Sequence, residues 1–325
     1  MNTKLIIVDG HCSVGKSSLS KSVYKQINLA HDTYWLHEEC ENHPIRQNEF
    51  SFGKLNTAEG MELNRIGMLQ KWMTFRDSIK SSGKVCVTEG CFLHAYDRYF
   101  IHSLWNEDEI VAYSSQVIEI INELNPVIVF LYRPDLRKSL EKAFIARGQW
   151  WRELMLRRDD LHVYFKEHEY VDENSMFAAI EYEQIKMMSI FDRLLCSKIK
   201  IDTSEEHWGQ YVHEVIAYLG LEYGKVKSYP CDMKHYLGTY RWQNGAENEE
   251  WSIHYDDSNK CLYTSLFWPY MPMQCLADNV FELISFPVEL HFQQNNNSMQ
   301  FRVQGNYDWE YNNKVFIKVQ STPTE

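Results

Sequence analysis

Leu5-Ile6-Ile7-Val8, followed by Gly10-His11-Cys12-Ser13-Val14-Gly15-Lys16-Ser17, is the stretch on which the reading of this chain turns. The four apolar residues predict a buried strand. The next eight form a complete G-x-x-x-x-G-K-[ST], and the residues from Ser18 to Gln26 predict a helix. Strand, glycine loop and helix in that order is the context that the motif requires. Its glycines let the backbone curl, so that N–H groups from Gly10 through His11, Cys12, Ser13, Val14 and Gly15 to Lys16, Ser17 and Ser18 face phosphate oxygens. The Lys16 ammonium would reach the outer phosphates, and the Ser17 hydroxyl would ligand Mg²⁺. The expected ligands are therefore ATP and Mg²⁺.

Outward from this loop, residues 1–224 alternate strand-like runs with helical patterns. Further strands are predicted at Thr33–Leu36, Val85–Thr88, Val127–Leu131 and Ile199–Ile201. Apolar residues three and four apart predict helices over Met61–Ile79, Ile110–Leu124 and Leu136–Ile145. Strands separated by helices imply βαβ units, hence an α/β fold of three layers, α/β/α, around a mostly parallel five-stranded sheet. After Leu221 the texture changes. Six short alternating strands are predicted between Gly238 and Ile317, punctuated by turn clusters such as Asp256-Asp257-Ser258-Asn259. Residues 225–325 read as a second domain, a small antiparallel all-β barrel or sandwich.

Composition narrows the functional classes. The chain has 325 residues and a net charge of −12. Residues 225–325 hold 8 Lys+Arg against 12 Asp+Glu, and the rest 25 against 33, so neither part is basic. A broad positive field for nucleic acid or an anionic membrane is disfavoured. The longest apolar run is about seven residues, around Val127, against the ~20 needed to span a bilayer. No signal-peptide pattern opens the sequence. Eight cysteines without a C-x-x-C pair read as reduced thiols in a cytoplasmic protein rather than as zinc ligands or disulfide staples.

Carboxylates at strand ends are the next candidates, because ligands of open α/β sheets gather at the carboxyl edge. Glu89 ends the third strand and is expected to join Ser17 in the metal shell or to polarise an acceptor hydroxyl. Glu38 and Glu39 end the second strand, and either is placed to accept a proton from an attacking hydroxyl. The helix Met61–Ile79 and the segment after Glu89 would line an acceptor pocket, with Trp72 and Arg76 as substrate contacts, Met61, Met68, Phe75, Phe92 and Tyr96 completing a wall, and Gln70 and His94 as further polar readers. The same stripe also reads as ordinary core.

At these residues the sequence resembles the P-loop kinases of the nucleoside and nucleotide kinase superfamily, including deoxynucleoside and thymidylate kinases. The likeness covers residues 1–210 and rests on three segments. These are the glycine loop, Val87-Thr88-Glu89-Gly90-Cys91 with Asp97-Arg98-Tyr99-Phe100, and Ile128–Pro134 leading to Ala146-Arg147-Gly148-Gln149 and Arg157-Arg158. The resemblance implies that Asp97 and Arg98 contact substrate and that Arg147 belongs to a cationic lid over the transferring phosphoryl group. Gly90 departs from the pattern, since the nucleoside kinases carry an arginine there. A strict Asp at the end of the third strand is also missing.

The expected activity is ATP- and Mg²⁺-dependent transfer of the γ-phosphoryl group to a small acceptor, a nucleoside or nucleoside monophosphate first. The alternatives are a sugar- or antibiotic-directed small-molecule kinase and a nucleotide-dependent switch. A guanine-reading N-K-x-D is absent from the sequence. The aromatic-rich C-terminal domain reads either as a packed core that stabilises or dimerises the first domain, giving a homodimer, or as a cup for a small apolar ligand.

Overall fold

Near-continuous apolar runs build the inner strands of the first sheet, Leu5–Gly10, Val85–Glu89 and Val127–Tyr132, as expected where both faces are covered, whereas the edge strand Ser197–Asp202 alternates. The computed structural model describes residues 1–46, 57–94, 105–156, 168–169, 172–227, 229, 232–245, 249–295, 298–307 and 311–319. Strands β1 (Leu5–Gly10), β2 (Thr33–Leu36), β3 (Val85–Glu89), β4 (Val127–Tyr132) and β5 (Ser197–Asp202) pair in parallel in the order β2-β3-β1-β4-β5. All six residues of the central β1 are buried. Its register sets Val8 beside both Glu89 and Val129.

Parallel neighbours need crossover connections, and helices supply them. α1 (Lys16–Ile27) leads from β1 to β2, α2 (Ala58–Ser82) lies between β2 and β3, and α3 (Glu107–Ile121) lies between β3 and β4. Between β4 and β5 come α4 (Leu136–Arg147), α5 (Gln149–Leu156) and α6 (Glu173–Arg193), and α7 (Trp208–Tyr218) follows β5. α1 packs on β1, β2, β3 and α7, whereas α2, α3 and α6 pack in series. The chain leaves β1 toward β2 but leaves β3 toward β4, on the other side of β1. The sense of the connections therefore reverses between β1 and β3, which is where such sheets form a crevice at their carboxyl edge.

The helix predicted over Ile110–Leu124 has the expected length but lies three residues earlier, over Glu107–Ile121. It ends at Ile121, and Asn122–Leu124 tighten into a 3-10 turn closed by Asn125 at φ 48°. Among the described residues no helix is long and apolar enough to cross a membrane.

The all-β part is a closed antiparallel barrel of eight strands in the order β10-β11-β12-β13-β6-β7-β8-β9. They are β6 (Gly238–Trp242), β7 (Glu250–Asp256), β8 (Cys261–Thr264), β9 (Met271–Ala277), β10 (Val280–Leu283), β11 (Val288–Asn295), β12 (Ser298–Gly305) and β13 (Val315–Lys318). The count of six in the sequence reading is corrected by β9 and β10. Met271-Pro272-Met273-Gln274-Cys275 lacks the β-branched residues that mark strands, and its proline argues against one. Inside, Tyr240, Phe292, Phe301 and Phe316 pack ring against ring. The Tyr240 hydroxyl donates to the Tyr236 carbonyl at 2.9 Å, so the buried phenol is satisfied.

By contacts the chain divides into two units. One comprises Met1–Glu38, His43–Ala143 and Trp151–Val226, and the other Glu39–Asn42, Phe144–Trp150 and Lys227–Glu325.

Candidate functional site

The loop after β1 is held by its carbonyls. The His11 carbonyl accepts from Lys16 Nζ at 3.3 Å, the Ser13 carbonyl from Ser139 Oγ at 2.6 Å, and the Val14 carbonyl from Thr203 Oγ1 at 2.9 Å. In a planar trans peptide the next N–H points opposite to its carbonyl. The N–H groups of Cys12, Val14 and Gly15 therefore turn away from these anchors. Gly15, at φ 94°, is the N-cap of α1 and brings no capping side chain. The Trp208 ring packs where any β-carbon on Gly15 would stand, so only glycine fits. The Ser13 hydroxyl is buried without a hydrogen-bond partner. Donors at a helix N-terminus beside an unsatisfied hydroxyl fit an anion with oxygens on several sides.

Beside the loop stand two carboxylates. Glu89, fully buried at the end of β3, accepts from Ser17 Oγ at Oε1 and from Ser20 Oγ at Oε2, both at 2.8 Å. His37 Nε2 lies 3.1 Å from Oε1. Burial first, then the neighbouring Glu38 carboxylate, push Glu89 up to about 8, against Lys16 and the two hydroxyls. Glu38 brings Oε2 to 3.9 Å from both Lys16 Nζ and His94 Nε2. It approaches so closely because residue 90 is glycine: at φ 59° the Glu38 carboxylate occupies the place of a side chain.

Ser17 Oγ and Glu89 Oε1 form an oxygen donor pair suited to a hard divalent cation. Among the described residues no group of three or more His, Cys, Asp or Glu is arranged for a metal. A cation such as Mg²⁺ would need only one or two such protein oxygens, its octahedron being completed by phosphates and water.

Asp9 was passed over by sequence reading. It is fully buried and accepts from the N–H groups of Gly10, Phe92, Leu93 and His94 at 2.6 to 3.2 Å. This one carboxylate ties the end of β1 to the turn after β3, where Gly90 and Cys91 are both left-handed. Burial raises Asp9 to about 6, with Lys16 and the N–H groups opposing. Its only sequence signal was an acid standing inside an otherwise apolar run.

Glu183 was also missed. On α6 it sits fully buried with Ile180 and Met187, and its Oε2 lies 2.7 Å from His11 Nε2. On the other ring nitrogen, His11 Nδ1 is 3.1 Å from Cys12 Sγ. Burial alone would lower the His11 pKa, but Cys12 and Glu183 outweigh it and raise it to about 9. The adjacent Gln184 pairs with the Arg133 backbone through both amide atoms, at 2.8 and 3.2 Å.

Of the residues expected to act together, Lys16, Ser17, Glu38 and Glu89 converge. Ser18 lies in the first turn of α1, where its carbonyl accepts from Ser22 Oγ. Trp72 is 1% exposed and packs edge-on against Phe75 and Phe92, as a core residue does. Arg76 is engaged by Asp77 and Glu123. Glu39 and Arg147 group with the barrel, where the Arg147 guanidinium lies 4.3 Å from the centre of the Trp268 ring. Asp97, Arg98, Tyr96, Arg157 and Arg158 lie outside the described residues. No family model matches the chain, and no curated protein matches it.

Proposed function

We propose that the unit built on the parallel sheet is a phosphotransferase that moves the γ-phosphoryl group of ATP, with Mg²⁺, to the hydroxyl or phosphate of a small acceptor. The observation that carries this reading is the convergence of Lys16, Ser17, Glu38 and Glu89 on a glycine loop whose carbonyls are tied back. ATP with Mg²⁺ supplies an activated phosphoryl group and neutralises part of its charge. The chain's own residues do the rest. Loop N–H groups and the start of α1 bind phosphate oxygens, and the Ser13 hydroxyl gains the partner it lacks. Lys16 balances charge at the outer phosphates, while Ser17 Oγ and Glu89 Oε1 hold the cation. Glu38, set 3.9 Å from Lys16, takes the acceptor's hydroxyl proton at Oε2.

Nucleosides and their monophosphates are the first acceptor class, on the resemblance of the glycine loop and the Val87–Cys91 segment to that kinase superfamily. The test is coupled ADP release against nucleosides, nucleoside monophosphates, sugars, and aminoglycoside- and phenicol-type alcohols. Lys16→Ala is expected to lower turnover by about 10² or more, as loss of a charge-stabilising donor does, with an unchanged circular dichroism spectrum. Wild-type turnover in that variant would overturn the proposal. Hydrolysis without acceptor is expected to stay slow, because such sites exclude water from the reacting centre.

A further inference from the structure

Cys12, His11 and Glu183 form a chain that phosphoryl transfer does not use. Cys12 Sγ lies 3.1 Å from His11 Nδ1, and His11 Nε2 lies 2.7 Å from Glu183 Oε2. His11 and Glu183 are fully buried, whereas Cys12 is half-buried. A carboxylate on one ring nitrogen fixes the tautomer: Nε2 carries the proton toward Glu183, which leaves Nδ1 as an acceptor facing the thiol. Nucleophile to base and base to orienting acid, each within hydrogen-bond reach, is the arrangement that turns a thiol into a nucleophile. We propose that Cys12 is a reactive modification site, primed by His11 and positioned by Glu183, that captures small hydroperoxides and alkylating electrophiles.

The step balances. The Cys12 proton passes to His11 Nδ1, giving a thiolate beside an imidazolium. The sulfur attacks one oxygen of the hydroperoxide. The S–O bond forms as the O–O bond breaks, and the departing hydroxide or alkoxide takes the proton from Nδ1. Sulfur is oxidised by two electrons to a sulfenic acid, and the peroxide is reduced to water or an alcohol. Besides Cys12, at 3.1 Å, charged and titratable groups of other residues stand near His11. Glu183 on α6 favours the imidazolium, the His94 ring stands 5.9 Å away, and Lys16 Nζ bonds the His11 carbonyl at 3.3 Å. The upward shift of His11 to about 9 agrees with this pairing. Because Cys12 lies within the glycine loop, its modification also closes the loop to nucleotide; that consequence alone rests on the function proposed above.

The experiment is iodoacetamide alkylation of the full chain, followed peptide by peptide by mass spectrometry across pH. At about pH 6.5, two units below the ~8.5 of an ordinary thiol, Cys12 is expected to react at least about ten-fold faster than the half-buried Cys196, Cys261 and Cys275. Glu183→Gln is expected to lower that rate about ten-fold, and hydrogen peroxide to yield a dimedone-trapped sulfenic acid at Cys12. A Cys12 rate equal to the other three, rising only near the ordinary thiol range, overturns the assignment. This wild-type profile decides the matter even if Glu183→Gln does not fold. Mg·ATP is expected to protect Cys12. Fast alkylation without protection by Mg·ATP, and without ATP binding to the unmodified chain, would keep the reactive thiol and reject the nucleotide site.

Discussion

Gly90 shows how much one missing side chain can determine. Its φ of 59° and the φ of 64° at Cys91 make a sharp left-handed turn, and Asp9 braces that turn from the neighbouring strand. A β-carbon at position 90 would meet the Glu38 carboxylate. Gly90→Ala is therefore expected to cost about 1–3 kcal/mol in urea unfolding, from left-handed strain and the displaced carboxylate. It should also lower ADP release more than stability alone accounts for, because Glu38 moves from Lys16. If Gly90→Ala leaves turnover intact, Glu38 is not the proton acceptor. At this scale the glycine loop was legible because its spacing is a local property of the chain. Asp9 and Glu183 were not, because apart from Gly10 their partners lie 83 to 85 and 172 residues away. Spacing cannot report a hydrogen bond across strands or onto a distant helix.

Helix α3 opens with a capping box: the Asn106 side chain accepts from the Glu109 N–H, and the Glu109 carboxylate accepts from the Asn106 N–H. The next residue, Glu107, ties this end to α6 through Lys186 at 2.8 Å, Ser189 at 2.6 Å and Arg193 at 3.4 Å. The Lys186 and Ser189 hydrogen bonds, chiefly, lower Glu107 from 4.5 to about 2. A folded-state pKa below the unfolded one contributes stability above the unfolded value, and that contribution is lost as pH falls through the folded one. Glu107→Gln is expected to lower stability near neutrality by about 1 kcal/mol, kept small because the partners stand partly in water. The gap to wild type should close between about pH 4.5 and 2, which acid titration of the unfolding midpoint would measure. A gap that persists unchanged at the acid end would assign the loss to packing. Periodicity located α2 and α4 well, since their apolar faces repeat along the sequence. α6 escaped it because buried Glu183 and Gln184 interrupt its apolar face with polar groups whose partners are tertiary.

At the scale of the molecule, each unit carries its own core, so damage to one should register there first. Phe301 is 1% exposed and touches the rings of Tyr240, Phe292 and Phe316. Phe301→Ala is expected to remove about 3–5 kcal/mol from the barrel's unfolding transition, seen by calorimetry, while ATP affinity stays at the wild-type value. A parallel fall in ATP affinity would mean that the two units share stability. The change of texture near Leu221 announced two architectures, because period 3.6 and period 2 differ over any dozen residues. Whether the strands close could not be read, since closure is a pairing of β13 with β6, which lie at opposite ends of the barrel sequence.

That closure has a consequence for recognition. Each of the eight strands already has a hydrogen-bonded neighbour on both sides, so none keeps a free row of N–H and C=O groups. Extended peptides commonly bind a sheet by joining it as one more strand, reading backbone before side chains. This barrel has no vacancy for such a strand. A peptide lying along the wall must read the side chains there, and the same closure withholds the edge-to-edge pairing through which open sheets aggregate.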